Sequence, residues 1–100
     1  MKKTIQYCGF NQDSHGLTIF ARIVVDAWLF ELLPRDQDCA GWDMARMQKL
    51  MQEVEDKWDA YGNIPSRLPE ELRQRHAELY DWVAKRARER GWNPDLEDSE

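Results

Sequence analysis

The chain has little cysteine, little histidine and no long apolar run. Two cysteines, Cys8 and Cys39, and two histidines, His15 and His76, are spread over 100 residues. Neither cysteine belongs to a Cys-x-x-Cys pair, and no four-ligand zinc spacing can be assembled from these residues. A zinc-stabilised fold is excluded. A disulfide between the two has no support in the spacing, and two reduced thiols in a cytoplasmic protein are expected. The N-terminus MKKTIQYCGF begins with basic residues but lacks the apolar run of a signal peptide. The longest apolar stretch is interrupted by Arg22, Asp26 and Glu31, so no membrane span is expected. No catalytic motif is present, and neither cofactor nor metal is expected.

What the chain does have is charge and tryptophan. A third of the residues are charged, the net charge is −5, and there are five tryptophans. A chain of this length supports one core and hence one domain, expected over residues 1–93. Charge is unevenly placed. Residues 1–33 are balanced, residues 34–66 carry four positive and seven negative charges, and residues 67–91 carry seven positive and five negative. The last nine residues carry four acids and no base. Residues 94–100, PDLEDSE, are expected to form an acidic flexible tail. An acidic protein is repelled by nucleic acid and anionic membranes, which leaves a protein with a basic surface as the favoured partner.

The stretch RIVVDAWLFEL, residues 22–32, decides the fold class. As strands, Ile23, Val25, Trp28, Phe30 and Leu32 share one wholly apolar face if Asp26 and Ala27 make the turn. As a helix, the segment is apolar nearly all round and rich in β-branched side chains, which lose rotamer freedom there. The hairpin is preferred. With a first strand over residues 4–8, it predicts an α+β fold: a three-stranded antiparallel meander covered by two C-terminal amphipathic helices. The alternative is a three-helix bundle. The first of the two helices is expected over residues 41–61, where Met44, Met47, Leu50, Met51, Val54, Trp58 and Tyr61 recur at three- and four-residue steps. The second is expected from Pro69 to about Arg90, with Glu70 and Glu71 at its positive end and Lys85, Arg86, Arg88 and Arg90 at its negative end.

Several groups of residues compete for function. DQDCAGWD, from Asp36, resembles a calcium loop in its first, third and sixth positions, but Ala40 and Met47 stand where ligands are needed. Cys8 and His15 make a thiol–imidazole pair only if a hairpin brings them together, and His76 sits on an apolar helix stripe, where a packed ring is expected. Two surfaces remain. The first is acidic: Asp36, Asp38, Asp43, Glu53, Glu55, Asp56 and Asp59, interrupted within the helix by Lys49 and Lys57, with Glu53 and Lys57 spaced for an intrahelical pair. The second is Trp82 with Arg75 and Arg86, an anchor composition for a partner or a homodimer. The basic run from Lys85 to Arg90 lacks the aromatic or helix-turn-helix pattern of a nucleic-acid reader, so direct nucleic-acid binding is not expected.

With its 100 residues, net charge of −5, acids Glu53, Glu55, Asp56 and Asp59 on one helix and no catalytic set, the chain resembles the small acidic accessory proteins of phages and mobile elements, among them anti-CRISPR proteins. The resemblance is one of type and carries no motif. It implies a non-enzymatic, stoichiometric inhibitor or adaptor that blocks a nucleic-acid-binding complex through negative charge or steric wedging.

Overall fold

The computed structural model describes residues 5–13, 16 and 18–91. Three helices build it: α1 (Ile19–Leu29), α2 (Met44–Asp59) and α3 (Glu70–Glu89), with single 3-10 turns at Phe10–Gln12 and Pro65–Arg67. The described residues contain no strand. The tail expected over residues 94–100 and Trp92 lie outside them.

The meander is therefore corrected: residues 19–29 are one helix, and Asp26 lies inside it rather than in a turn. Thr18 starts α1, its hydroxyl accepting the Ala21 N–H at 3.1 Å. The segment is apolar over most of its circumference because most of it is buried; Ile19 and Arg22 face solvent. Ala21, Ile23, Val24, Val25, Ala27, Trp28 and Leu29 are all inside. Helix α1 packs against both α2 and α3, whose backbones do not approach one another, and the Phe10–Gln12 turn closes a third side. The β-branched residues cost the helix a few tenths of a kcal/mol each, whereas burying each large side chain returns about 1.5–3 kcal/mol. Tertiary burial decides the conformation.

The first expected strand is an extended segment that pairs elsewhere. Gln6 forms one antiparallel bridge with Asp43. Tyr7 N–H donates to the Trp42 carbonyl at 2.8 Å, Gly41 N–H returns a bond to the Tyr7 carbonyl at 2.8 Å, and Phe10 N–H reaches the Asp38 carbonyl at 2.9 Å. The N-terminal segment is thereby laid on the α1–α2 loop, and Phe10 is driven fully into the core.

Helix α2 begins at Asp43, whose carboxylate accepts the Arg46 N–H at 2.9 Å, and buries Met47, Leu50 and Val54 against α1. It ends in Gly62 and Asn63, both with left-handed backbone, a conformation these two residue types tolerate better than most. Helix α3 starts after Pro69 with Glu70 and Glu71 in its first turn and has Arg86 and Arg88 in its last, charges suited to the helix dipole.

Two acids, the buried Asp13 and the half-buried Asp26, hold the parts in register. Asp26 accepts the Tyr80 hydroxyl at 2.5 Å on Oδ1 and the Trp58 indole N–H at 3.2 Å on Oδ2, joining all three helices at one carboxylate. Asp13 accepts Tyr7 Oη at 3.0 Å, the Gly16 N–H at 3.0 Å and the Thr18 hydroxyl at 2.5 Å, tying the N-terminal segment to the start of α1.

Candidate functional site

The sequence offered two surfaces, and the fold treats them differently. Within the acidic set, two residues are occupied by the fold. Asp38 accepts the Asn11 N–H at 3.2 Å and the Ala40 N–H at 3.1 Å, holding the α1–α2 loop against the N-terminal segment. Asp43 is the α2 cap. Asp36 is exposed on the loop. Glu53, Glu55, Asp56 and Asp59 are all exposed on α2. At ~100° per residue, Glu53, Asp56 and Asp59 form a ridge along the solvent side, with Glu55 just beyond it. Their bonds are local: Asp56 accepts Gln52 Nε2 at 3.0 Å and Asp59 accepts Asn63 Nδ2 at 3.3 Å. The Glu53–Lys57 pair expected from spacing does not form; the ion pairs among the described residues are Arg75–Glu31 and Lys85–Asp81. Both ends of that expected pair are solvated, and an exposed pair gains little over hydration.

The second set is split up. Trp82 remains 39% exposed while its ring stacks on Phe10 at 5.6 Å and meets Trp28 edge-on at 6.4 Å. Arg75 does not stack on it. Its Nη1 donates to the Leu29 carbonyl at 3.1 Å and pairs with Glu31 at 3.3 Å, covering the C-terminal end of α1. Arg86 points to the other side of the core. Its guanidinium lies 4.4 Å from the Phe10 ring centre, and Nη2 donates to the carbonyls of Phe10 and Asn11 at 3.0 and 3.1 Å. Burial, reinforced by Arg90, pushes its pKa down. Arg86 Nη1 is buried without a hydrogen-bond partner among the described residues, and a side chain built at Gly16 would meet it at 2.8 Å. Arg86 is thus a structural clamp on the N-terminal segment.

The cation beside Trp82 is Arg35, which sequence reasoning did not single out. Its guanidinium lies 4.2 Å from the Trp28 ring centre and 4.5 Å from that of Trp82. No local pattern marks it, because both rings come from distant points of the chain. Arg35, Trp28, Leu33, Pro34, Glu31, Arg75 and Leu79 line an open cleft of about 610 Å³ between the end of α1, the loop after it and α3. Its floor is apolar and its rim holds two guanidinium groups against one carboxylate.

The remaining candidates carry no converging chemistry. Cys8 is exposed and Cys39 buried, both as free thiols, and burial pushes the Cys39 thiol up to about 11. His15 lies outside the described residues, and with it the proposed Cys8–His15 pair. His76 packs its ring against Tyr80 at 4.7 Å and Trp58 at 5.8 Å. Among the described residues no group of three or more His, Cys, Asp or Glu side chains gathers to hold a metal ion, and no helix is long and apolar enough to cross a membrane. Comparison with known protein families, curated proteins and solved structures finds no match to this chain.

Proposed function

We propose that this chain is a non-enzymatic binding protein, an inhibitor or adaptor that meets a basic partner surface through the solvent side of α2. One observation carries the proposal. Glu53, Glu55, Asp56 and Asp59 are exposed together, engage no described lysine or arginine, and serve no contact of α2 with the core. Charge assembled in this way speeds encounter with an oppositely charged groove and selects against wrong partners. A ridge of carboxylates also suits the place of phosphates in a nucleic-acid-binding complex, in keeping with the resemblance to anti-CRISPR proteins. The experiment is affinity capture from the native host with the parent chain and the Glu55→Lys/Asp59→Lys variant, followed by association kinetics on the captured partner. The variant is expected to associate at least about tenfold more slowly at low salt, with the difference narrowing as ionic strength rises. Equal association rates at low salt would remove α2 as the binding face.

A further inference from the structure

The cleft beside Trp82 is built from different residues and faces than the α2 ridge, and its chemistry is of opposite sign. The geometry points to a second docking site here, one that takes a short acidic segment of a partner protein: an apolar side chain on the floor, with a neighbouring carboxylate on Arg35.

The Arg35 guanidinium carbon lies 4.2 Å from the Trp28 ring centre and 4.5 Å from that of Trp82, two rings inclined at 62° to one another, so the group is held between them. A guanidinium held in place offers a carboxylate two parallel hydrogen bonds. Arg35 forms no ion pair among the described residues, whereas Arg75 has already taken the one acid of the rim, Glu31, at 3.3 Å. The cleft therefore holds one unmatched positive charge above an apolar floor of Leu33, Pro34 and Leu79. A carboxylate satisfies that charge, and an adjacent leucine or similar side chain covers the floor. The cleft is open along its length, which suits a segment of chain laid across it rather than a small molecule, which needs most of its surface enclosed. The surroundings match those of an interface anchor: Trp82 is partly exposed, backed by Phe10 and Trp28, and flanked by arginine.

The test uses the full chain, labelled with nitrogen-15, and two blocked pentapeptides, Asp-Glu-Leu-Glu-Asp and its amide counterpart Asn-Gln-Leu-Gln-Asn. The acidic peptide is expected to move the indole N–H signals of Trp28 and Trp82, to leave those of Trp42 and Trp58 in place, and to bind more weakly as salt is added. The amide peptide is expected to cause no shift. Arg35→Gln is expected to weaken the acidic peptide by about tenfold or more, the loss of a charge-assisted bidentate contact. Arg35→Gln also gives up the contacts of Arg35 with Trp28 and Trp82, so its thermal melt is expected to fall slightly and binding is compared well below the melt, while the comparison of the two peptides on the parent chain does not depend on the variant. Equal binding of acidic and amide peptides, or no shift with millimolar acidic peptide, overturns the site. Much tighter peptide binding by a chain ending at Gly91 than by the full chain overturns the assignment to a partner, since the occupant is then the chain's own acidic tail. Glu55→Lys/Asp59→Lys leaves these titrations unchanged, so failure of the α2 reading and failure of this one are separately visible.

Discussion

Replacing Tyr80 by phenylalanine removes one hydroxyl from the junction of the three helices and leaves the ring in place. That hydroxyl is one of two donors to the Asp26 carboxylate, the other being the Trp58 indole. Burial holds the Asp26 carboxyl above its usual pKa, while the bonds from Tyr80 and Trp58 and the nearby His76 and Arg22 pull it down again. A raised native pKa means that the folded state holds the proton more tightly than the unfolded chain does. The stability this confers is complete below the unfolded carboxylate value of about 4 and is lost as pH rises through the native value. Tyr80 stabilises the ionised form, so its loss is felt most where Asp26 is ionised. A hydrogen bond to a charged group contributes about 1.5–3 kcal/mol, and one between neutral groups about 0.5–1.5 kcal/mol. Tyr80→Phe is thus expected to cost about 2 kcal/mol near pH 7 and about 1 kcal/mol near pH 4. Urea unfolding followed by tryptophan fluorescence reads the first value as a midpoint shift of about 1 M. A penalty that does not change between the two pH values would show that Asp26 is not an ionised hub at neutral pH, and no penalty at all would show that the hydroxyl does not hold the helices together.

Two further outcomes follow from the same structure. Asp43→Ala removes the side chain that accepts the Arg46 N–H at the start of α2 and should lower stability by about 1 kcal/mol, while Asp43→Asn, which keeps the acceptor, should cost a few tenths; denaturant midpoints distinguish them. In the native protein a thiol reagent should modify Cys8 alone, with Cys39 reacting only on unfolding, because Cys39 is fully buried and its thiol is pushed up to about 11; mass spectrometry of the alkylated chain counts the modified sites.

Helices α2 and α3 were legible in the sequence because each has a wet side, and the three- and four-residue recurrence of Met47, Leu50 and Val54 or Leu79 and Val83 marks the dry one. Helix α1 has only a narrow wet side, at Ile19 and Arg22 with Asp26 half-buried on the same line, and the rest of its circumference is apolar. A stripe that narrow is easily overlooked, and β-branching and an aspartate in mid-segment both favour a hairpin. Asp26 is the residue that misleads. Among Val24, Val25 and Ala27 an acid looks like a turn, yet it is the acceptor for donors from Trp58 and Tyr80, which lie 32 and 54 positions further along the chain. The site residues divide along the same line. The exposed acids of α2 could be placed from the helical wheel alone. The grouping of Trp82 with Arg75 and Arg86 failed because wheel proximity does not say which neighbour each guanidinium finds: a helix end for Arg75, the carbonyls of Phe10 and Asn11 for Arg86.

The acids of this chain thus fall into two groups, those that accept bonds within the fold and those that face solvent. Asp13 and Asp26, buried and half-buried, accept bonds from hydroxyl, indole and backbone donors and fix the packing of segments that share no hydrogen-bonded sheet. Glu53, Glu55, Asp56 and Asp59 lie outside, and no described lysine or arginine pairs with them. Surface substitutions away from caps and buried networks usually change stability by less than about 0.5 kcal/mol. The charge on α2 is therefore adjustable without disturbing the helices beneath it. The binding proposed for α2 and the stability of the three-helix core are therefore separately testable, and mutations in one set of acids are expected to report on one of them alone.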